Sequence, residues 1–156
     1  MPTSFSTSGT PATVTNSTVR FPQATVVMPI HLADLANSQT LKMAIPYRFR
    51  VESVVFRVST AASTASKAAT LTLKISGTTI VTQPASATIG LTSANCTPVG
   101  ATVALSSSAT IATGIDVTTN IGAAGGTIEA AVSSVTTFVE GSGWLEWTIS
   151  NIESVQ

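Results

Sequence analysis

Few residues of this chain are of types that carry out catalytic chemistry. His31 is the single histidine, so a serine–histidine–aspartate arrangement would have to use it together with Asp34, three positions later, or Asp116. The Gly-x-Ser-x-Gly pattern of a nucleophile elbow is absent, and its nearest match is the run Gly141-Ser142-Gly143. We therefore expect a polar loop at His31 and a protein that is not an enzyme.

The acidic residues and the one cysteine give no stronger sign of catalysis. Four glutamates fall at outward positions of predicted strands, where a polar face explains them better than the carboxylate pair of a glycosidase. They are Glu52, Glu129, Glu140 and Glu146. Cys96 has no second cysteine to pair with, and we expect a buried or half-buried thiol. A single cysteine excludes a cysteine-rich metal site and a single histidine excludes the two-histidine zinc arrangements, and no cofactor is expected.

Charge and composition exclude several classes of protein. Seven basic residues balance seven acidic ones in 156, and charged residues make up only 9 % of the chain. Binding to nucleic acid through phosphates needs a basic excess, which is absent. No apolar run is long enough to cross a membrane, and the first residues lack the apolar core of a signal peptide. A chain without net charge associates easily with copies of itself or with other proteins.

Apolar residues alternate with polar ones along most of residues 25–156, a pattern that predicts strands. Between residues 47 and 58 the apolar positions change parity, from Phe49 and Val51 to Val54 and Phe56, which predicts a β-bulge. Gly77 and the Gly141–Gly143 run each predict a hairpin turn. Eight or nine short strands at this spacing predict an all-β, antiparallel β-sandwich, jelly-roll-like in its connections.

Three segments carry weaker signals. Residues 31–44 predict a loop in which Leu32 and Leu35 line one helical turn. Alternation along residues 99–105 predicts a strand with Val99 on its inner face, and residues 111–117 predict another.

The chain divides into an extended N-terminal arm, residues 1–24, and a sandwich domain, residues 25–156. The arm is rich in serine and threonine and contains three prolines, so it cannot offset its own ordering entropy by burying apolar surface. Either it is a terminus without fixed structure, or it lies across a neighbouring subunit. In the second case Phe5, Arg20 and Phe21 are its candidate contact residues.

Arginine and tryptophan suggest a binding surface within the domain, because both are enriched at interface hot spots. Arg48, Arg50 and Arg57 lie on one β segment. Trp144 and Trp147 have opposite parity on their strand, so we expect Trp147 in the core and Trp144 on the outer face. The alternatives are a solvated sheet face for the arginines and a Trp144 half covered by loops. As binding residues, the arginines would pair with Glu52, Glu129 or Glu146 of another chain.

Several stretches of the sequence resemble small structural proteins of tailed bacteriophages, of the head decoration or cement kind. They are residues 49–58, 64–71 (TASKAATL), 91–101 (LTSANCTPVGA) and 131–143 (AVSSVTTFVEGSG). The resemblance covers patches between about residues 45 and 150 and does not reach the N-terminal arm. These patches contain no catalytic motif, so the resemblance implies a setting rather than an active site.

The resemblance implies a location on the capsid surface of a virion that is assembled in the host cytoplasm. We expect a homotrimer that binds the major capsid protein and stabilises the head shell, without nucleic acid or membrane as a partner. One alternative is a tail or fibre-adaptor module of the same particle. Another is a carbohydrate-binding β-sandwich in which Trp144 or Tyr47 stacks on a sugar.

Overall fold

The computed structural model describes residues 23–80, 87–105 and 120–152. They form two antiparallel sheets that enclose one hydrophobic core, so the predicted all-β antiparallel sandwich is confirmed. In chain order the strands are β1 (Gln23–His31), β2 (Thr40–Ala44), β3 (Phe49–Thr60), β4 (Ala68–Ile75), β5 (Thr78–Thr79), β6 (Thr88–Thr92), β7 (Thr102–Val103), β8 (Ile121–Gly122), β9 (Thr127–Thr136) and β10 (Ser142–Asn151).

Sheet A has the order β1-β10-β3-β7, with β8 also paired to β3, and sheet B has the order β2-β9-β4-β5, with β6 also paired to β4. The chain therefore changes sheet at each step from β1 to β4 and again between β9 and β10. A jelly roll requires such alternation. The jelly-roll assignment stays a prediction, because residues 106–119 between β7 and β8 lie outside the described residues.

The core is built from alternate residues of the long strands. Along β4 the buried residues are Ala69, Leu71, Leu73 and Ile75, each separated by a half-buried polar residue. Along β10, Leu145, Trp147 and Ile149 are all fully buried. Trp147 is thus a core residue, as its parity predicted.

The predicted bulge in β3 is confirmed by its pairing with β10. Thr148 pairs with Ser53 and Ile149 pairs with Val51, so Glu52 is an extra residue without a partner on β10. The insertion shifts the side-chain alternation by one position. Apolar residues both before and after the bulge consequently face the core.

One predicted hairpin is confirmed. Strands β4 and β5 pair directly across Ser76 and Gly77, which have φ values of 47° and 84°. Two consecutive residues with positive φ are typical of the type I′ turn that joins tightly paired strands.

The hairpin predicted at Gly141–Gly143 is wrong. Strand β9 ends at Thr136 in sheet B and β10 begins at Ser142 in sheet A, so residues 137–141 cross from one sheet to the other. Phe138 is only 2 % exposed, and its ring fills the core at the crossover. Gly141, with a φ of 100°, turns the chain into β10 without making it a partner of β9.

The weaker signals gave mixed results. A 3₁₀ turn at Leu32–Asp34 matches the predicted helical turn, and both Leu32 and Leu35 are buried. The same segment also contains β2, which the prediction treated as loop. Val99 is 68 % exposed in the turn before β7, so its predicted inward position is wrong. The strand predicted at residues 111–117 lies outside the described residues.

The N-terminal boundary and the membrane prediction can be compared with the structure only in part. Strand β1 begins at Gln23, two residues before the predicted start of the domain, and the rest of the predicted arm is outside the described residues. Within the described ranges, no helix is long and apolar enough to cross a membrane.

Gly143 provides a test of the packing between β10 and β3. A Cβ atom at this position would lie 2.1 Å from the carbonyl oxygen of Arg57 and 2.4 Å from the ring of Phe56. Because a backbone atom cannot move aside alone, we expect Gly143→Ala to lower the free energy of unfolding by about 3 kcal/mol. Urea denaturation measures the change. Thr148→Ala on the outer face of the same strand should cost under about 1 kcal/mol, and equal costs would contradict this packing.

Candidate functional site

The outer face of sheet A gathers part of the predicted binding residues. Strand β10 lies between β1 and β3, and its register sets Trp144 opposite Pro29 on one side and Arg57 on the other. Two residues further along β10, Glu146 lies opposite Val27 of β1 and Val55 of β3. We call this group the Trp144 face. Its residues are Val27, Pro29, Val55, Arg57, Trp144 and Glu146.

The Trp144 face exposes apolar side chains on three hydrogen-bonded strands. Val27 is 46 % exposed, Pro29 is exposed, and Val55 and Trp144 are half-buried. Trp144 points outward because its strand neighbours Gly143 and Leu145 are both buried. The predicted outer position of Trp144 is therefore confirmed, although the residue is partly covered by its neighbours.

Arg57 is held on this face by a bidentate ion pair with Glu146. Its Nε donates to Oε2 of Glu146 at 2.6 Å and its Nη2 donates to Oε1 at 3.3 Å. Its Nη1 donates to the hydroxyl of Thr102 at 3.0 Å. The hydrogen bond from Arg57 is the main cause that lowers the pKa of Glu146, and it also raises the pKa of Arg57. The guanidinium is thus fixed beside Trp144.

Arg50 is engaged in a second network at the bulge. Its Nη2 lies 2.7 Å from Oε1 of Glu52, and the same oxygen accepts a hydrogen bond from Ser150 at 2.7 Å. Arg48 is exposed and has no ion-pair partner among the residues that the structure describes.

The expected pairing of these arginines with glutamates of another chain needs a correction. Arg50 and Arg57 pair with carboxylates of their own chain, because sheet register brings Glu146 next to Arg57 and the bulge places Glu52 next to Arg50. A role of the arginines in binding a partner stays a prediction, as it does for Trp144. Phe5, Arg20 and Phe21 lie outside the described residues.

The outer face of sheet B differs in character. Glu129 lies between Lys42 and Lys74 on the neighbouring strands, with Nζ of Lys42 at 3.5 Å from its Oε1. The hydroxyl of Thr127 donates to Glu129 at 2.7 Å, which is the main cause that lowers the pKa of this carboxyl. Glu129 is only 4 % exposed, so its predicted place on a solvated polar face is wrong. Its side chain is covered by the flanking residues.

At one end of the sandwich, Glu140 organises a loop. Its Oε1 accepts hydrogen bonds from the backbone N–H groups and the hydroxyls of Ser63 and Thr64. The hydroxyl of Ser63 is the main cause that lowers the pKa of Glu140. Glu140 was predicted on a strand, but it lies in the crossover and connects it to the loop after β3. Sequence spacing could not indicate a contact between residues so far apart in the chain.

Next to this loop is a shallow hollow of about 570 Å³ between residues 63–68 and 92–97. Its polar lining consists of serine and threonine hydroxyls and Lys67. Cys96 lies in the same region but is fully buried, and burial raises the pKa of its thiol to about 11. The predicted buried thiol is confirmed, and a thiol with this pKa is a poor nucleophile.

Of the residues considered for catalysis, Asp116 lies outside the described residues. His31 and Asp34 are both exposed at the end of β1 and in the 3₁₀ turn. In the described parts of the chain, no group of three or more histidine, cysteine, aspartate or glutamate side chains could hold a metal ion. The Trp144 face is therefore the best candidate for a functional site in these parts.

Glu140 and Glu146, two of the glutamates whose pKa is lowered, predict how stability depends on pH. A carboxyl whose pKa falls on folding stabilises the protein above the ordinary pKa near 4.5, and this contribution is lost as the pH falls through the folded-state value. We expect Glu140→Gln and Glu146→Gln to lower the melting temperature at pH 7, and the difference from the unmodified chain to shrink as the pH falls below about 4.5.

Thr102→Val is the control for this experiment. It removes a hydrogen bond to Arg57 without removing a carboxyl, so its effect on the melting temperature should be the same across this pH range. A constant effect of both glutamate variants would contradict the assigned role of the ionised carboxyls.

Comparison with known proteins adds no identification. No protein-family model matches the sequence, and no curated protein matches it. What the chain does must therefore be argued from the Trp144 face and its surroundings.

Proposed function

We propose that this protein is a structural component of a virion, a decoration or cement protein that binds the major capsid protein on the outside of the head shell. The observation that carries the binding role is the Trp144 face, where an aromatic side chain on the inner strand β10 stands beside exposed apolar residues of the neighbouring strand β1. The viral setting is supported by the resemblance of residues 49–58, 64–71, 91–101 and 131–143 to such proteins.

The composition of the Trp144 face suits a protein partner. Tryptophan and arginine are the residues most often found at interface hot spots, and a hot spot needs a surrounding that excludes water. Here Val27, Val55 and Pro29 surround Trp144 with apolar atoms. The ion pair of Arg57 with Glu146 leaves no uncompensated charge to desolvate when a partner covers the face.

The rest of the molecule supports binding in many copies. The chain has no net charge, so crowded copies on a shell repel each other little. We propose a homotrimer whose N-terminal arms, the part of residues 1–24 that precedes β1, reach neighbouring subunits. Each contact is modest, but linked contacts raise the overall affinity by effective concentration. A shell under internal pressure gains resistance to expansion from such cross-links.

A carbohydrate ligand is the second candidate for the same face. A half-buried tryptophan beside fixed polar groups could stack on a sugar ring and hydrogen-bond its hydroxyls. Against this, the guanidinium and carboxylate of Arg57 and Glu146 already bind each other and Thr102, which leaves few free donors and acceptors. The observations therefore favour a protein partner over a sugar.

Trp144→Ala tests the proposal through binding to capsid shells assembled without this protein. Truncating a hot-spot tryptophan costs about 2 kcal/mol or more, so we expect shell binding to weaken by roughly thirtyfold. The temperature at which decorated shells disrupt should fall as well. Co-sedimentation with shells and thermal disruption assays measure both quantities.

Lys74→Ala is the matched control, because Lys74 lies on the outer face of sheet B, away from Trp144. It should change shell binding less than about threefold. Absence of shell binding by the unmodified chain overturns the proposal. A sugar that shifts tryptophan fluorescence would support the carbohydrate alternative, since Trp147 is fully buried and the change would report on Trp144.

A further inference from the structure

The edge of β1 that faces away from β10 is a separate feature of the structure. Two observations show which residues of β1 hydrogen-bond to β10 and which point to this edge. The N–H of Leu32 donates to the carbonyl of Gly141 at 2.9 Å, which continues the β1–β10 ladder by one pair. Pairs alternate along an antiparallel ladder, so the even-numbered residues of β1 bond to β10. Pro29, which has no N–H, occupies an odd-numbered position, in agreement with this phase.

The backbone groups of Gln23, Thr25 and Val27 consequently point away from β10. In the described parts of the chain these groups have no hydrogen-bond partner, since β1 pairs with β10 alone. Unpaired N–H and C=O groups at a sheet edge are a template for another strand.

Charge does not protect this edge from association. Strand β1 reads QATVVMPIH and contains no lysine, arginine, aspartate or glutamate. By contrast, the edge strand β2 of sheet B carries Lys42, a residue type that commonly keeps edges apart. Within β1 itself only Pro29 opposes such pairing. It blocks the end near His31 and leaves Gln23–Val27 without a second neighbouring strand among the described residues.

The open stretch is complementary to itself. In an antiparallel pair centred on Thr25, Thr25 faces its own copy and Gln23 faces Val27, and about six backbone hydrogen bonds form. Centring the pair on Val27 would place Pro29 opposite Thr25 and lose donors. We propose that β1 pairs with β1 of a second copy of this chain about a two-fold axis at Thr25, which joins two A sheets into one.

Side-chain packing favours the same arrangement. Ala24 and Val26 are partly exposed and pack against the core, and the pairing sets Ala24 beside Val26 of the partner subunit. Val27, which is 46 % exposed, gains Gln23 of the partner subunit as a neighbour. Covering half-exposed apolar residues adds hydrophobic stabilisation to the backbone bonds.

The two-fold contact can be tested separately from the function proposed above, although Val27 lies at both surfaces. It uses the edge of β1 rather than the outer side of Trp144, and it joins copies in pairs, whereas the proposed trimer needs a different surface. Variants at Thr25 therefore test the edge contact, and Trp144→Ala should leave it intact.

Disulfide trapping of the full chain tests the predicted register. A hydrogen-bonded antiparallel pair has a Cα separation of about 5.5 Å, within the range of a disulfide. Oxidation of Thr25→Cys should give a covalent dimer on a non-reducing gel. Native Cys96 is fully buried, so it does not compete. Thr40→Cys, on the edge strand β2, is the control and should stay largely uncrosslinked; equal yields, or no dimer from Thr25→Cys, would overturn the proposal.

Sedimentation equilibrium of the full chain gives a second, independent measurement. Thr25→Pro removes a donor that faces the second copy and leaves the β1–β10 bonds in place, so the dimer dissociation constant should rise by about tenfold or more. Thr40→Pro, a matched change at the edge of β2, should leave it unchanged. If the wild-type chain is a monomer and Thr25→Pro lowers its melting temperature, then residues of the same chain cover the edge of β1. That result, or a trimer insensitive to Thr25→Pro, contradicts the two-fold contact.

Discussion

The burial of Leu145, Trp147 and Ile149 on one side of β10 is the constraint on which the rest of the structure depends. Strand β10 is the inner neighbour of both β1 and β3, and its register with each fixes what appears on the outer face of sheet A. Because side chains alternate, a slip by one residue would bring Trp144 and Glu146 inside and expose the core residues. The Trp144 face is therefore as firmly specified as the core behind it.

The bulge at Glu52 shows how sequence and register adapt to that constraint. Apolar residues on β3 change parity at this point, and without an extra residue half of them would face solvent. The extra residue is an acidic one, and its carboxylate binds Arg50 and Ser150 rather than remaining unpaired. A local irregularity of the strand thus keeps both halves of β3 in the core and anchors an arginine on the surface.

Local periodicity predicted the features that depend on neighbouring residues and missed those that depend on distant ones. The sandwich, the bulge, the turn at Gly77 and the positions of both tryptophans follow from alternation and parity. The crossover at residues 137–141 does not follow from local periodicity, because Gly141 would also suit a hairpin. What favours the crossover is the burial of Phe138 in the core. The hydrogen-bond partners of Arg57 and Glu140 could not be predicted from the sequence either, since they depend on which strands and loops are neighbours in the folded protein.

The alternation of odd- and even-numbered residues along β1 relates the Trp144 face to the free edge of this strand. In β1 the even-numbered residues Met28 and Ile30 are buried, so the side chains of the odd-numbered residues lie on the outer face. The even-numbered residues also bond to β10, so the backbone groups of the odd-numbered residues point to the free edge. Val27 thus takes part in both the Trp144 face and the open edge, while Pro29 adds apolar surface to the first and limits the second. A charged residue at position 27 would protect the edge but would stand opposite Glu146 and interrupt the apolar face. The absence of charge on β1 is therefore compatible with both of the proposed surfaces.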